Sequence, residues 1–189
     1  MTLVGTAESV STLLRTLTPF DAVEADHQAK TLAWLRATDD VFRRAKPATP
    51  APHLVSYFVL LDRAQRRLLL VEHRLAGLWL PPGGHVEPSE HPVATVLREA
   101  TEELCLAAEL LHPQPFFLTW TPTVGENSHI DVSLWFLLEG DADRDLARDM
   151  REFASVQWWS PEQILAAPSN QFDPHLPRFL SKLAVTGVW

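Results

Sequence analysis

The 189-residue chain carries 16 Lys and Arg against 24 Asp and Glu, a formal net charge of −8, with 46% apolar and 21% charged residues. This is the balance of one folded domain with a buried core, and not of a disordered chain. The longest wholly apolar runs, such as residues 57–61 and 68–71, fall far short of the ~20 residues a membrane helix needs, so no membrane partner is expected. No signal-peptide pattern is read, and a cytoplasmic location is expected. The single cysteine, Cys105, excludes an intrachain disulfide framework and a cysteine-built zinc site. The acidic balance argues against long nucleic acid, whose binding depends on Lys and Arg neutralising phosphates. A protein of this charge that handles phosphates needs metal ions to do so.

In chain order, residues 1–44 read as a helical extension. Thr18 supplies a capping hydroxyl and Pro19 suits a first helical position, after which Phe20, Val23, His27, Thr31, Trp34 and Leu35 follow helical spacing. Residues 45–52 hold three prolines and read as a linker. From residue 53 to 189 the pattern is that of the main domain. Runs 53–61 and 67–74 read as a hairpin, with further strands within 115–121, at 130–138 and at 153–160. A short helix is expected from Pro161 and a last one near 175–185. In the 130–138 strand Ile130, Val132, Leu134, Phe136 and Leu138 alternate with Asp131, Ser133 and Trp135, so the second set, with His129, is expected on a polar face. The class is α/β with a mixed sheet.

Residues 81–84, Pro-Pro-Gly-Gly, form a turn, and a helix can begin at Pro92. On a wheel at about 100° per residue, with Glu99 at 0°, Glu103 falls at about 40° and Glu102 at about −60°. Val93, Val96, Leu97, Ala100 and Leu104 fall together as an apolar stripe. Three carboxylates thus share one sector beside the stripe, where like charges three and four residues apart repel. Arg98 can position one of them, but one cation does not neutralise three. Hard divalent cations such as Mg²⁺ take such oxygen ligands together with substrate phosphates.

Counting from Gly84, five residues lead to Glu90, seven more to Arg98-Glu99, then come Glu102-Glu103 and the apolar Leu106. This spacing resembles the signature of the Nudix hydrolases, Gly-x5-Glu-x7-Arg-Glu-U-x-Glu-Glu-x-Gly-U with U apolar. One fixed position departs: Cys105 stands where the family has Gly, which implies an altered helix end or a strained residue. With an apolar neighbour on each side, the thiol is expected to be a small buried hydrophobe.

The resemblance implies an α/β/α sandwich and hydrolysis of a nucleoside diphosphate linked to another moiety, assisted by Mg²⁺ or Mn²⁺. It implies that Glu99, Glu102 and Glu103, with the Gly83 carbonyl, hold the metal. Arg98 would orient these carboxylates and Glu90 would brace the loop against the helix. Glu99 is one candidate general base, and Glu152, upstream of Trp158, is another. Arg74, Trp79, His85, His129, Asp131, Asn170 and Asp173 are the candidate substrate contacts.

The preferred substrate is a small nucleotide, a nucleoside triphosphate or a modified one. Cleavage of ADP-ribose or a nucleotide sugar, a group in which some members carry a proline where Pro122 lies, is the alternative. A catalytically silent nucleotide-binding module is the reading from another class, and the intact carboxylates speak against it. The N-terminal helices admit three roles: a cap on the cleft, a homodimer contact, or completion of the core.

Overall fold

Two helices open the chain. α1 (Ala7–Thr16) starts at Thr6, whose hydroxyl accepts the Ser9 N–H while Ser9 caps the Thr6 N–H in return. α2 (Ala22–Ala37) starts at Asp21, whose carboxylate accepts the Glu24 N–H at 2.8 Å. The expected cap at Thr18 is therefore displaced by three residues, because the carboxylate of Asp21 is the better partner for the positive helix end. Thr18 and Pro19 lie in the connection. The computed structural model describes residues 4–46, 49–123 and 128–189; Pro47 and Ala48 of the expected linker lie outside the described residues. Around them Ala45 and Thr49 exchange backbone hydrogen bonds of 3.2 and 3.0 Å.

A single mixed sheet follows. It is built from β1 (His53–Asp62), β2 (Arg67–His73), β3 (Leu78–Leu80), β4 (Gly83–His85), β5 (Phe117–Pro122), β6 (Ile130–Glu139) and β7 (Phe153–Trp159). β1 pairs with β6 in parallel, and every other pair is antiparallel. The hairpin between β1 and β2 is joined only at Leu61–Leu68 and Asp62–Arg67. Beyond that point the two strands part, and β3 pairs with β2 while β4 pairs with β1. The short β3, not expected from the sequence, and β4, whose two glycines were read as part of a turn, thus fill the opening between two long strands.

Helices cover both faces of the sheet. On one side α3 (Pro92–Leu104) packs Val96, Ala100 and Leu104 against Leu54, Phe58, Leu134 and Phe136, joined by Val10, Leu14 and Leu35 of the N-terminal helices. On the other, α4 (Pro161–Ala166) and α5 (Leu176–Thr186) bring Ile164, Phe179 and Leu183 against Val59, Leu70, Phe117 and Trp135. Trp135 is fully buried there, with its indole N–H donating to Thr119 Oγ1 at 3.2 Å. The expected polar face of β6 is therefore apolar from Trp135 onward, because α5 covers it.

One buried ion pair joins the N-terminal helices to the last. The Glu24 carboxylate, with no exposed surface, accepts the Phe20 N–H (2.6 Å), the Leu118 N–H (3.2 Å) and Lys182 Nζ (3.0 Å). Lys182 also donates to the Thr18 carbonyl at 2.8 Å, and Arg178 holds Asp21 through Nε at 2.7 Å. Burial raises the Glu24 carboxyl above its ordinary value and lowers the Lys182 amine below its own. Lys182→Met, leaving Glu24 without its cation, is expected to cost about 3–5 kcal/mol in urea unfolding. A Glu24→Gln, Lys182→Met double variant should recover part of that loss.

Candidate active site

α3 begins at Pro92, as the sequence predicts, with His91 as its N-cap. Its buried face is rotated from the predicted stripe. Thr95 and Glu103 are buried with Val96, Ala100 and Leu104, while Leu97 is 39% exposed. The rotation follows from the close approach of helix and glycine turn. A Cβ on Gly84 would lie 2.0 Å from Glu99 Oε1, and one on Gly83 would lie 2.2 Å from the Ser56 carbonyl oxygen. Gly83 also has φ +142°, a conformation only glycine adopts readily. Its N–H donates to Glu103 Oε2 at 3.0 Å, which draws this carboxylate under the turn.

Arg98 organises the acid cluster. Its guanidinium grips Glu90 with two bonds of 2.9 Å, reaches Glu99 Oε1 at 2.7 Å and Glu102 Oε2 at 3.2 Å, and donates to the His85 carbonyl at 3.3 Å. Glu90 is fixed in turn by the Thr95 hydroxyl (2.8 Å) and the Glu87 N–H (3.2 Å). Burial raises the Glu90 carboxyl, but Arg98 and these donors outweigh it and hold it below its ordinary value. At Glu99 burial wins over Arg98 and the carboxyl is raised. Glu103 is pushed up to about 9 by burial and by the charges of Glu99, Glu152 and Asp149, against the single Gly83 N–H.

Glu152, exposed just before β7, has its charge felt at both Glu99 and Glu103. Arg74, also exposed, ties this stretch to β2: its N–H donates to the Glu152 carbonyl (2.9 Å) and its Nε to the Met150 carbonyl (3.1 Å). Among the described residues, Trp79, Asn170 and Asp173 form no hydrogen bond or ion pair with these acids. The Trp79 ring meets Trp159 edge-on at 5.2 Å, and its carbonyl accepts the Asp173 N–H. Burial raises the Asp173 carboxyl to about 6, although it accepts the His175 N–H at 2.7 Å. Asn170 is exposed in a short 3₁₀ turn.

His85, His129 and Asp131 gather with His53, a residue the sequence reading missed. Asp131 Oδ1 stands 3.3 Å from His53 Nε2 and 3.2 Å from His129 Nε2. The His53 ring lies 4.8 Å from that of His85 and 4.9 Å from that of His129. His53 Nε2, His85 Nε2 and Asp131 Oδ1 are buried without a hydrogen-bond partner among the described residues, each typically a cost of about 1–3 kcal/mol. Burial, with the charges of Arg43 and Lys46, lowers the His85 imidazole to about 2. Arg43, also missed, is half-buried between α2 and β1, where the charges of Asp131, Glu99 and Glu152 oppose its desolvation.

The NUDIX domain model matches residues 52–180, more than half of the chain. The chain belongs to the Nudix hydrolase family. It is 28% identical over 118 residues to the uncharacterized Nudix hydrolase YvcI of Bacillus subtilis (strain 168), covering 61% of this chain and 72% of that one. Among solved structures it is similar to a NUDIX-family hydrolase of Clostridium perfringens, with a TM-score of 0.56 and 22% identity over 71% of this chain and 97% of the other. The MutT protein of Methanosarcina mazei Go1 gives a TM-score of 0.55 and 20% identity, covering 72% and 95%. These two share the fold, a single mixed sheet flanked by helices. As a Nudix hydrolase the chain acts on pyrophosphate bonds of nucleotide-like small molecules, and enzymes of this family generally use divalent metal ions. Among the described residues, no helix is long and apolar enough to cross a membrane.

The one departure from the Nudix signature is accommodated at the helix end. Cys105 adopts φ 51°, ψ 37°, the left-handed conformation the family glycine would supply. The cap closes normally, with the Cys105 N–H on Thr101 O (3.1 Å) and the Leu106 N–H on Ala100 O (3.0 Å). Contrary to expectation the thiol is exposed, because the reversal turns it outward and buries Leu106 instead. Cys105→Gly is expected to relieve the left-handed strain and stabilise the enzyme by about 1 kcal/mol, read as a higher thermal midpoint.

Proposed function

We propose that this Nudix hydrolase is a Mg²⁺- or Mn²⁺-dependent pyrophosphohydrolase whose substrate is a nucleoside triphosphate or a modified one. The observation that carries this reading is the excess of converging carboxylates over cations: Arg98 hydrogen-bonds Glu90, Glu99 and Glu102, while the Glu103 carboxylate has, among the described residues, only a backbone N–H. An all-oxygen donor set of this kind fits a hard divalent ion. Glu99, Glu102 and Glu103 would hold it, with the Gly83 carbonyl as a further donor. When bound, such ions neutralise the diphosphate and make water a better nucleophile.

The chain's own residues supply the geometry. Glu90 locks one edge of the Arg98 guanidinium, so the remaining nitrogen is committed to Glu99 and Glu102 and sets their direction. Gly83 holds Glu103, and Gly84 leaves the space that Glu99 occupies. Glu152 is the exposed carboxylate beside these acids and is assigned to take the proton of the attacking water. Arg43 faces the same acids from the N-terminal segment and is a ready partner for a substrate phosphate. A triphosphate substrate is in keeping with the similar fold of the E. coli dihydroneopterin triphosphate pyrophosphohydrolase, at a TM-score of 0.53 and 17% identity.

A nucleotide panel with Mg²⁺ and product identification tests the reading. Nucleoside triphosphates should yield monophosphate and pyrophosphate; turnover confined to ADP-ribose or nucleotide sugars would move the assignment to those substrates. Glu103→Gln, removing a ligand charge, should lower kcat by about a hundred-fold or more. Glu152→Gln should lower kcat by about 10²–10⁴ with little change in KM, and an unchanged kcat would return the proton transfer to Glu99.

A further inference from the structure

We propose that His53, His85, His129 and Asp131 form a second, separate metal site, a four-coordinate centre for a transition-metal dication of the zinc class. The inference does not rest on the substrate reading. One donor atom from each side chain can be chosen so that all four lie within 4.8 Å of one another. Ligands at the usual 2.0–2.2 Å around a tetrahedral ion stand about 3.3–3.6 Å apart, and the two Asp131–imidazole separations of 3.3 and 3.2 Å lie close to that spacing.

The donors are also set up chemically. His53 Nδ1 lies 2.7 Å from the Pro50 carbonyl oxygen, which can only accept, so the ring proton sits on Nδ1 and the buried Nε2 presents its lone pair to the cluster. A carbonyl behind a ligating histidine is the usual support for such a ligand. His129 has the Thr123 hydroxyl 3.3 Å from its Nδ1 and turns Nε2 toward Asp131. His53 has no exposed surface, and its Nε2, His85 Nε2 and Asp131 Oδ1 have no hydrogen-bond partner among the described residues. One ion would satisfy all three.

The donor types select the occupant. Three imidazoles and one carboxylate suit zinc and its neighbours, whereas Mg²⁺ prefers oxygen alone. A phosphate is disfavoured because the Asp131 carboxylate sits between two of the rings. Four protein ligands leave no open position, which makes the site structural and not catalytic. Its ligands come from the start of β1, the end of β4 and the start of β6, so an ion would clamp the strand that carries Gly83 and Gly84.

The test uses the full chain, stripped with a chelator and reloaded with Zn²⁺ or Co²⁺. One equivalent of Zn²⁺ per chain should survive gel filtration and raise the thermal midpoint by about 5–10 °C at metal a hundred times above Kd. Co²⁺ should give the strong visible absorption of a four-coordinate site. His85→Ala and Asp131→Asn should each abolish the retained metal and the absorption, whereas Glu102→Gln should keep both. Failure of the wild-type chain to retain Zn²⁺ would overturn the proposal without needing any variant to fold. So would retention lost on Glu102→Gln but kept on His85→Ala, which would assign the ion to the acid cluster; Mg²⁺-dependent turnover would stand in either case.

Discussion

Where any other residue would place a Cβ, position 84 has the carboxylate of Glu99. This single close approach fixes the distance between α3 and the sheet, and the rest of the site follows from it. The helix leans on β4 at its acidic edge, so Thr95 and Glu103 are drawn into the buried face and Leu97 is turned out. Glu103 then reaches the Gly83 N–H, and Arg98 reaches over the strand end to the His85 carbonyl. Ordinary helix packing maximises apolar contact. Here apolar contact is given up along one edge so that the carboxylates of Glu99 and Glu103 stand where water is scarce.

The electrostatic consequence is an imbalance that the fold tolerates because other contacts hold the helix in place. Val96, Ala100 and Leu104 anchor α3 in a core shared with α1 and α2. Those N-terminal helices are themselves fastened at the far edge of the sheet by the Glu24–Lys182 and Asp21–Arg178 pairs. From α2 the chain runs past Val41, whose carbonyl accepts the Leu54 N–H at 2.9 Å, and delivers Arg43 toward Asp131, Glu99 and Glu152. Of the three roles the sequence left open for these helices, completion of the core is the one their buried residues perform in the chain alone, and it brings a cation to the acids.

Legibility from sequence divides along a physical line. The acid box, the start of α3 at Pro92 and the long strands were readable because their signals are local: spacing, a proline, a run of β-branched and aromatic residues. The orienting role of Arg98 and the bracing role of Glu90 came from the family resemblance, and the structure supplies the pairing between them. What was not readable depends on pairing between distant segments. β3 and β4 are three residues each and exist because β1 and β2 part. The fate of Trp135 depended on α5, which follows it by some forty residues. The cap of α2 was misplaced because two capping residues, Thr18 and Asp21, compete within one turn, and the second is favoured by its carboxylate and by the tertiary partner Arg178.

His53 illustrates the same limit most sharply. A lone histidine opening a strand carries no signal of its own, and nothing local links it to Asp131. The parallel register of β1 on β6 sets the two directly opposite each other. The antiparallel register of β4 sets His85 opposite Val55, and so on the same face as His53. Period two then separates the chemistry of one short strand: Gly84 faces α3 and the carboxylates, while His85 faces the imidazoles. Hard oxygen donors and softer nitrogen donors therefore lie within one residue of each other yet on opposite sides of the backbone. A sheet can keep two such donor sets apart without a wall between them, because the strand itself is the wall.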